Sequence, residues 1–561
     1  MPLRWFHNYS AVGNSLGLTA LVMCIPVVFL FWALSVKRMK GHVAGLLTLL
    51  LITIITTLGY GMPVPVALSA AALGMVNGLF QIGWIILAAV YLYNLTAESG
   101  QLEIIKSSIA SLSTDRRLQA LLIAFCFSAF MEGTAGMGSP VAVCAAILIG
   151  IGFAPLQAAL VCLVGNTQPV PFGPLGVPTI MMASVTKIDD HVLARAVGMD
   201  MVVLALIIPI FMLVVMAGWK SAIGVLPAAL VAGGSYAITC FLVTRYLGPE
   251  LPALLSSVVS IVSLVVFVKL WKPGNIWRFS NDPDAAGETS KKHNVWQIIY
   301  AWTPFLVLMI VMCIWSVPQF KLWMLNASHM AVNVPAWPFL DGIVYRNVPI
   351  VAKPTLYAAS YRWEVSAAPG TAIFFAALIS IVLLRVSPAR AAHVFVKSLD
   401  QMKIALITLA SVVGIAYAAN YSGMSYTLSL ALAFYTGKLF PVVSPVIGWL
   451  GVFLTGSVTS SAVLFGKLQQ VTAIQIGINP VLTTSANLAG GVTGKLISPQ
   501  SLAIACAATG MVGRETDIFR KTWRYSLILV GIVIALVVVE AYLLPGIVPR
   551  DVPAPVVAGS G

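Results

Sequence analysis

Apolar runs dominate the chain and short polar stretches separate them. The first spans Leu16 to Val36, and others lie near 43–60, 66–95, 118–131, 138–165, 201–217, 222–243, 252–271, 298–316, 371–386, 404–418, 426–456, 480–510 and 525–545. One helical crossing of a bilayer core takes about 20 apolar residues. Several runs exceed that length or are broken by Gly and Pro. The pattern therefore predicts an all-α polytopic membrane protein with roughly 12–14 transmembrane helices, one per apolar stretch of spanning length. The first run is too long for a signal-peptide core and no small-residue cleavage site follows it, so it reads as a retained helix. Lys37, Arg38 and Lys40 follow it and only Arg4 precedes it, which by the positive-inside bias puts the N-terminus on the periplasmic side.

Two polar inserts divide the pattern. Residues 272–297 carry turn formers and charges without apolar period, and residues 317–369 are rich in Pro, Trp and Tyr; both read as extramembrane. The expected organisation is an N-terminal transmembrane half, 1–271, with a core at about 66–217, and a connector at 272–297. A linking helix and loop follow at 298–370, then a C-terminal half, 371–549, with a core at about 404–510, and a flexible tail, 550–561.

Composition narrows the function classes. Of 561 residues 59% are hydrophobic and 9% charged, against roughly a quarter charged in a soluble domain, which excludes a disordered chain and a soluble enzyme. The net charge of +14 sits mostly between apolar runs, so it reads as cytoplasmic loop charge rather than a nucleic-acid surface. The seven cysteines form no CxxC and lie in apolar stretches, which gives no disulfide or zinc framework. His42, His191, His293, His329 and His393 stand at loop or span edges without an HExxH pattern. There is no GxSxG, P-loop or dinucleotide fingerprint. No enzyme, cofactor or metal site is expected; a passive channel and an integral-membrane enzyme are the weaker rivals of a transporter.

An internal repeat points to that transporter. Ser99-Gly100 is followed 33 residues on by Gly133 in EGTAGMGSP, and Ser422-Gly423 is followed 33 residues on by Gly456 in TGSVTSS. Asn166 precedes Pro178 by 12 residues, as Asn487 precedes Pro499. Paired Gly- and Pro-interrupted apolar segments, two repeats probed in matching order and inverted in the expected arrangement, mark a transport site at mid-membrane. Broken backbone at that depth must be buried or line a wet cavity. A helix that stops there leaves free N–H groups and a partial positive charge, which suit a small anion. The expected substrate-binding set is Gly133, Thr134, Gly136, Gly138, Ser139, Asn166 and Thr167 in the first half, with Gly456, Ser457, Thr459, Ser460, Ser461, Asn487, Gly490, Gly491 and Lys495 in the second. Helix packing on small residues is the competing reading of the glycines.

Charged residues inside apolar runs are costly and mark function by default. Glu132 is the expected proton carrier, with a fixed carboxylate capping broken-helix N–H groups as the alternative. Lys495 is expected either to pair with a substrate carboxylate or to snorkel to an interface. Asp200 reads as a loop-edge acid and Glu540 as structural.

At these motifs the sequence resembles the lactate permease family, which includes glycolate permease. The residues carrying the resemblance are Glu132–Val141 (EGTAGMGSPV), Asn166–Pro178, Gly248–Pro252 (GPELP), Asn420–Met424 (NYSGM), Gly448–Ser457 (GWLGVFLTGS) and Gly490–Ala508. The resemblance implies a multi-pass symporter of the bacterial inner membrane, taking up L-lactate, D-lactate and glycolate with H+. The implied partners are a small carboxylate and the lipid bilayer. There are departures: where the family typically has TGSDTSSN this chain has Val458 and Ala462, where it has Arg-Gln this chain has Met199-Asp200, and Tyr300 stands for an Arg. An Asp and an Arg lost together suggest a charge pair removed as a unit, which leaves Na+ coupling or a different small organic anion as the alternative.

Overall fold

The computed structural model describes residues 4–33, 37, 39–110, 113–136, 138–279, 294–315, 317–328, 330–511 and 514–551. Most of the 272–297 connector, the tail beyond Asp551, His293 and His329 lie outside the described residues. Among the described residues, nine helices are long and apolar enough to cross a membrane: Gly41–Leu58, Val64–Glu98, Asp190–Ile223, Leu226–Tyr246, Pro252–Leu270, Val295–Trp315, Pro388–Tyr421, Met424–Phe453 and Glu515–Leu543. Shorter apolar helices include Leu16–Leu30, Pro140–Gly150, Pro155–Gly165, Val177–Thr186, Pro369–Leu383 and Pro499–Ala508. The Gly- and Pro-broken runs of the sequence become these short helices. A left-handed glycine or a proline stops the i→i−4 ladder before a full crossing is made.

Helices from the two parts of the chain interleave, in two main sets of contacts. In one, Pro388–Tyr421 lies along Gly41–Leu58 and Val64–Val76, and Pro369–Leu383 lies between Gly83–Glu98 and Val295–Trp315. In the other, Asp190–Ile223, Leu226–Tyr246 and Pro252–Leu270 pack in series, and Asp190–Ile223 also meets Pro480–Gly494. Val177–Thr186 lies on Val458–Gln475, and Phe440–Thr455 is clasped by Pro480–Gly494. That last seam is made by small residues. A Cβ on Gly448 would fall 2.0 Å from the Asn487 carbonyl oxygen, and one on Gly490 would fall 2.1 Å from that of Pro445. Close backbone approach is how membrane helices gain dispersion contact where lipid is as apolar as the side chains. Leu21, Leu58, Ile238 and Leu270 stand exposed on outward faces, as lipid-facing residues do.

The insert between Val295–Trp315 and Pro369–Leu383 forms a small β cap. Trp5–Phe6 pairs in parallel with Val344–Arg346, which pairs antiparallel with Thr355–Leu356. Ala331–Val334 pairs antiparallel with Tyr361–Glu364, in the register Ala331↔Glu364. The N-terminal segment and this insert therefore share one face of the molecule.

Candidate substrate and proton site

Four helix interruptions build the site. Ser128–Thr134 stops and Ser139–Gly150 begins after Gly136 (φ +55°) and Gly138 (φ +86°). Pro155–Gly165 stops at Asn166, and Val177–Thr186 begins after Gly176 (φ +77°). Phe440–Thr455 and Val458–Gln475 flank Gly456 (φ +72°), and Pro480–Gly494 passes through a turn at Lys495–Ile497 into Pro499–Ala508. The helices opening at Ser139 and Val177 have no side-chain cap. Their first N–H groups are the donors that a helix start leaves over. Those opening at Val458 and Pro499 are capped by Ser457 and Ser498.

The first and second parts of the chain meet at Glu132. Both Glu132 carboxylate oxygens lie 3.0 Å from Lys495 Nζ, and the carboxylate is 3% exposed. Asn166 Nδ2 donates to Glu132 Oε2 at 2.8 Å, and Ser128 Oγ donates to Asn166 Oδ1 at 2.9 Å. Gly173 backs onto Glu132 so closely that a Cβ would fall 2.6 Å from Glu132 Cγ, and Leu175 N–H donates to the Gly133 carbonyl at 2.9 Å. The two first-half interruptions are thus one folded unit, closed over the acid that Lys495 holds. Pro499–Ala508 joins the other breaks. A Cβ on Gly138 would meet Ile504, and one on Gly456 would meet Gln500. Residues 500 and 504 share a helix face about 6 Å apart, so both left-handed glycines lie on one side of that helix.

The remaining expected residues divide. Thr134 and Thr167 are buried and donate back to the Met131 and Leu163 carbonyls. Ser139 begins its helix. Thr459 and Ser460 are half-buried in the first turn after Ser457, with the Ser460 N–H bound to the Ser457 hydroxyl. Ser461 Oγ lies 3.5 Å from Asn487 Oδ1. Asn487 is fully buried and its Nδ2 has no partner. Gly490 and Gly491 sit within Pro480–Gly494 at the seam with Phe440–Thr455, against Pro445 and Val452, rather than at a break. Val458, one of the departures from the family pattern, is buried beside Gly491.

Three buried polar groups escape a sequence reading, two of them at this site. Gln168 and the Tyr236 hydroxyl are buried against each other without a well-formed hydrogen bond to any other group, and the Glu132 charge reaches Tyr236. Buried polar groups are nearly always satisfied, and an orphan calls for water, an ion or a ligand. Gln168 was visible in the NTQPVPF segment as an unexplained polar residue. Tyr236 carried no signal, since a lone Tyr in an apolar run is ordinary. The third is Asp200. The sequence reading of a loop-edge acid is corrected: the helix begins at Asp190, so Asp200 lies three turns in, fully buried, with neither oxygen hydrogen-bonded. Its neighbours are the buried Glu540 carboxyl and the Ser485 hydroxyl. The charged start at Lys187–His191 reads as a loop, yet the mostly apolar HVLARAVGM that follows has its apolar positions at helical spacing and continues the helix to Asp200.

Comparison with known proteins gives the family. The sequence profile of the L-lactate permease family matches residues 19–544. The glycolate permease GlcA of Escherichia coli (strain K12) is 46% identical over 558 residues, covering 97% of this chain and 99% of its own. The L-lactate permease of Bacillus subtilis (strain 168) is 43% identical over 564 residues, covering 98% and 100%. Among solved structures, the Alcanivorax borkumensis YdaH transporter is similar with a TM-score of 0.45 at 13% identity, covering 83% of this chain and 86% of that one. A match along nearly the whole chain, with multi-pass helices and breaks at the shared motifs, means that the chain belongs to the L-lactate permease family, whose members are named as membrane transporters and not as enzymes.

Proposed function

We propose that the protein imports L-lactate, and the related 2-hydroxymonocarboxylates D-lactate and glycolate, by symport with H+ across the bacterial inner membrane. The observation that carries this reading is the Glu132–Lys495 ion pair between the broken segments, with the Asn166 amide on Glu132 and the buried Gln168 amide beside Tyr236. In the empty carrier Lys495 neutralises Glu132. An arriving carboxylate takes Lys495 for itself, and its 2-hydroxyl bonds the buried amides. A Glu132 stripped of its cation in a dry site is neutralised by a proton, because an isolated buried charge costs far more than protonation. The empty site holds one anion and one cation. The loaded site holds one cation, one substrate anion and a neutral acid. Both are neutral, so both can change exposure without carrying net charge through hydrocarbon, while a site holding substrate without a proton cannot. Movement of one broken-helix unit against the rest supplies alternating access.

The test is uptake of labelled L-lactate into proteoliposomes under an imposed pH gradient, with Na+ replaced by K+. Accumulation above equilibrium that follows the gradient is expected. Uptake that ignores the gradient but needs Na+ replaces the proton with Na+ as coupling ion. A Glu132→Gln protein that still concentrates lactate removes Glu132 as the carrier.

A further inference from the structure

A second cluster of cations lies under the β cap, away from Glu132 and Lys495. Arg346 ends the strand Val344–Arg346, Lys467 stands on Val458–Gln475, and Lys187 follows Val177–Thr186 in a left-handed conformation (φ +63°). The charges of Arg346 and Lys187 both reach Lys467. The two short helices touch along this path: a Cβ on Gly466 would fall 2.4 Å from Met182 Sδ and 3.1 Å from Val185. Like charges gathered at one place, with Lys467 and Arg346 half-buried and Lys187 exposed, repel, and an anion drawn between them relieves the repulsion.

The surroundings are acceptor-poor and donor-rich. The Arg346 guanidinium lies over the Tyr357 ring at 5.0 Å, and its Nε has no partner. The Tyr426 side chain is 1% exposed, and its hydroxyl faces Arg346 and Tyr357 without a well-formed hydrogen bond to either. No carboxylate among the described residues is paired with Arg346, Lys467 or Lys187; Asp341 on the cap accepts the Ala359 N–H at 2.8 Å. Lys467 Nζ donates to the neutral Gln470 Oε1 at 2.7 Å, which leaves its charge uncompensated.

We propose that Arg346, Lys467, Lys187 and the Tyr426 hydroxyl form an outer anion site that captures the substrate carboxylate before it reaches the central one. Lys467 and Lys187 lie 9 and 10 residues along their helices from Val458 and Val177, which open at the breaks. At 1.5 Å per residue the outer site is about 14 Å from the central one, on two helices that lead directly to it. It rests on the carboxylate-transport reading above and adds a place where the anion waits and a side from which it enters. A basic vestibule raises the local anion concentration and the capture rate, at low salt by about ten-fold or more.

The test is L-lactate uptake kinetics in proteoliposomes as a function of ionic strength. For Arg346→Gln with Lys467→Gln, KM is expected to rise about ten-fold at low salt with Vmax within about two-fold, and the difference is expected to shrink as salt screens the site. The charge-keeping pair Arg346→Lys with Lys467→Arg is expected to retain the low KM. An unchanged KM in the neutral pair overturns the outer site while leaving lactate transport intact. A wild-type protein that transports no lactate overturns the transport reading instead. Should the neutral pair fail to fold, as read by its thermal melt, the exposed Lys187→Gln carries the test: its KM is expected to rise several-fold at low salt, and a KM insensitive both to this change and to salt overturns the proposal.

Discussion

Replacing Lys495 by Gln removes the only cation bonded to Glu132 among the described residues, and the size of the effect follows from the geometry. At 3.0 Å two unit charges attract by about 5.5 kcal/mol in an effective dielectric of 20. Part of this offsets the desolvation of a carboxylate that is 3% exposed and an ammonium that is 12% exposed. What remains for Glu132 in the variant is the Asn166 amide at 2.8 Å, worth about 1.5–3 kcal/mol as a bond to a charged group. Breaking a buried pair from one side costs about 3–5 kcal/mol, whereas removing both charges costs much less. Lys495→Gln is therefore expected to melt well below the wild type in detergent at pH 7.5. The double change Glu132→Gln with Lys495→Gln is expected to recover most of that loss while remaining inactive in uptake. A Lys495→Gln melt equal to wild type, or a double variant less stable than the single one, refutes the buried-pair reasoning.

Further outcomes follow from other contacts. Gly448→Ala places a Cβ 2.0 Å from the Asn487 carbonyl oxygen, and the resulting overpacking is expected to cost at least about 1–3 kcal/mol in a thermal melt, whereas Gly531→Ala, with nothing within 4 Å, is expected to be neutral. Burial holds His7, outside the membrane spans, down at about 4; the Tyr421 carbonyl opposes this and the Arg346 charge adds to it. The folded value lies below the unfolded one of 6.5, so the contribution is complete above pH 6.5 and falls by about 1.4 kcal/mol per pH unit towards pH 4. Docking of the N-terminal strand, read by protease sensitivity of residues before Ser10, is expected to weaken over that window and to lose this pH dependence in His7→Gln. Arg117 is 1% exposed and binds Asp115 at 2.7 Å along with the Ser221 and Asn275 carbonyls, so Arg117→Met is expected to cost about 3–5 kcal/mol in the same melt. If the buried Gln168 amide takes the substrate 2-hydroxyl as proposed, Gln168→Ala is expected to raise KM for lactate more than for acetate, which lacks that hydroxyl; equal effects on both remove Gln168 from substrate recognition.

The sequence by itself determined the helical membrane class, because apolar runs of bilayer length have few other solutions. It also located the breaks: Gly136 and Gly138 in the first, Gly176 in the second and Gly456 in the third take left-handed conformations that other residues adopt only under strain, and Pro499 follows the fourth. Tertiary structure decided what the breaks enclose. Glu132 and Lys495 are 363 positions apart, and nothing in local pattern tells that one neutralises the other. Only packing shows that Gly490 and Gly491 serve a helix seam, that Asp200 lies beside Glu540, and that the charges of Arg346 from the cap and of Lys187 both reach Lys467. Periodicity reports how one segment meets its surroundings within a few turns. A charge pair is a relation between segments, fixed by the interleaving of helices from both parts of the chain, and the sequence carries it only once that packing is known.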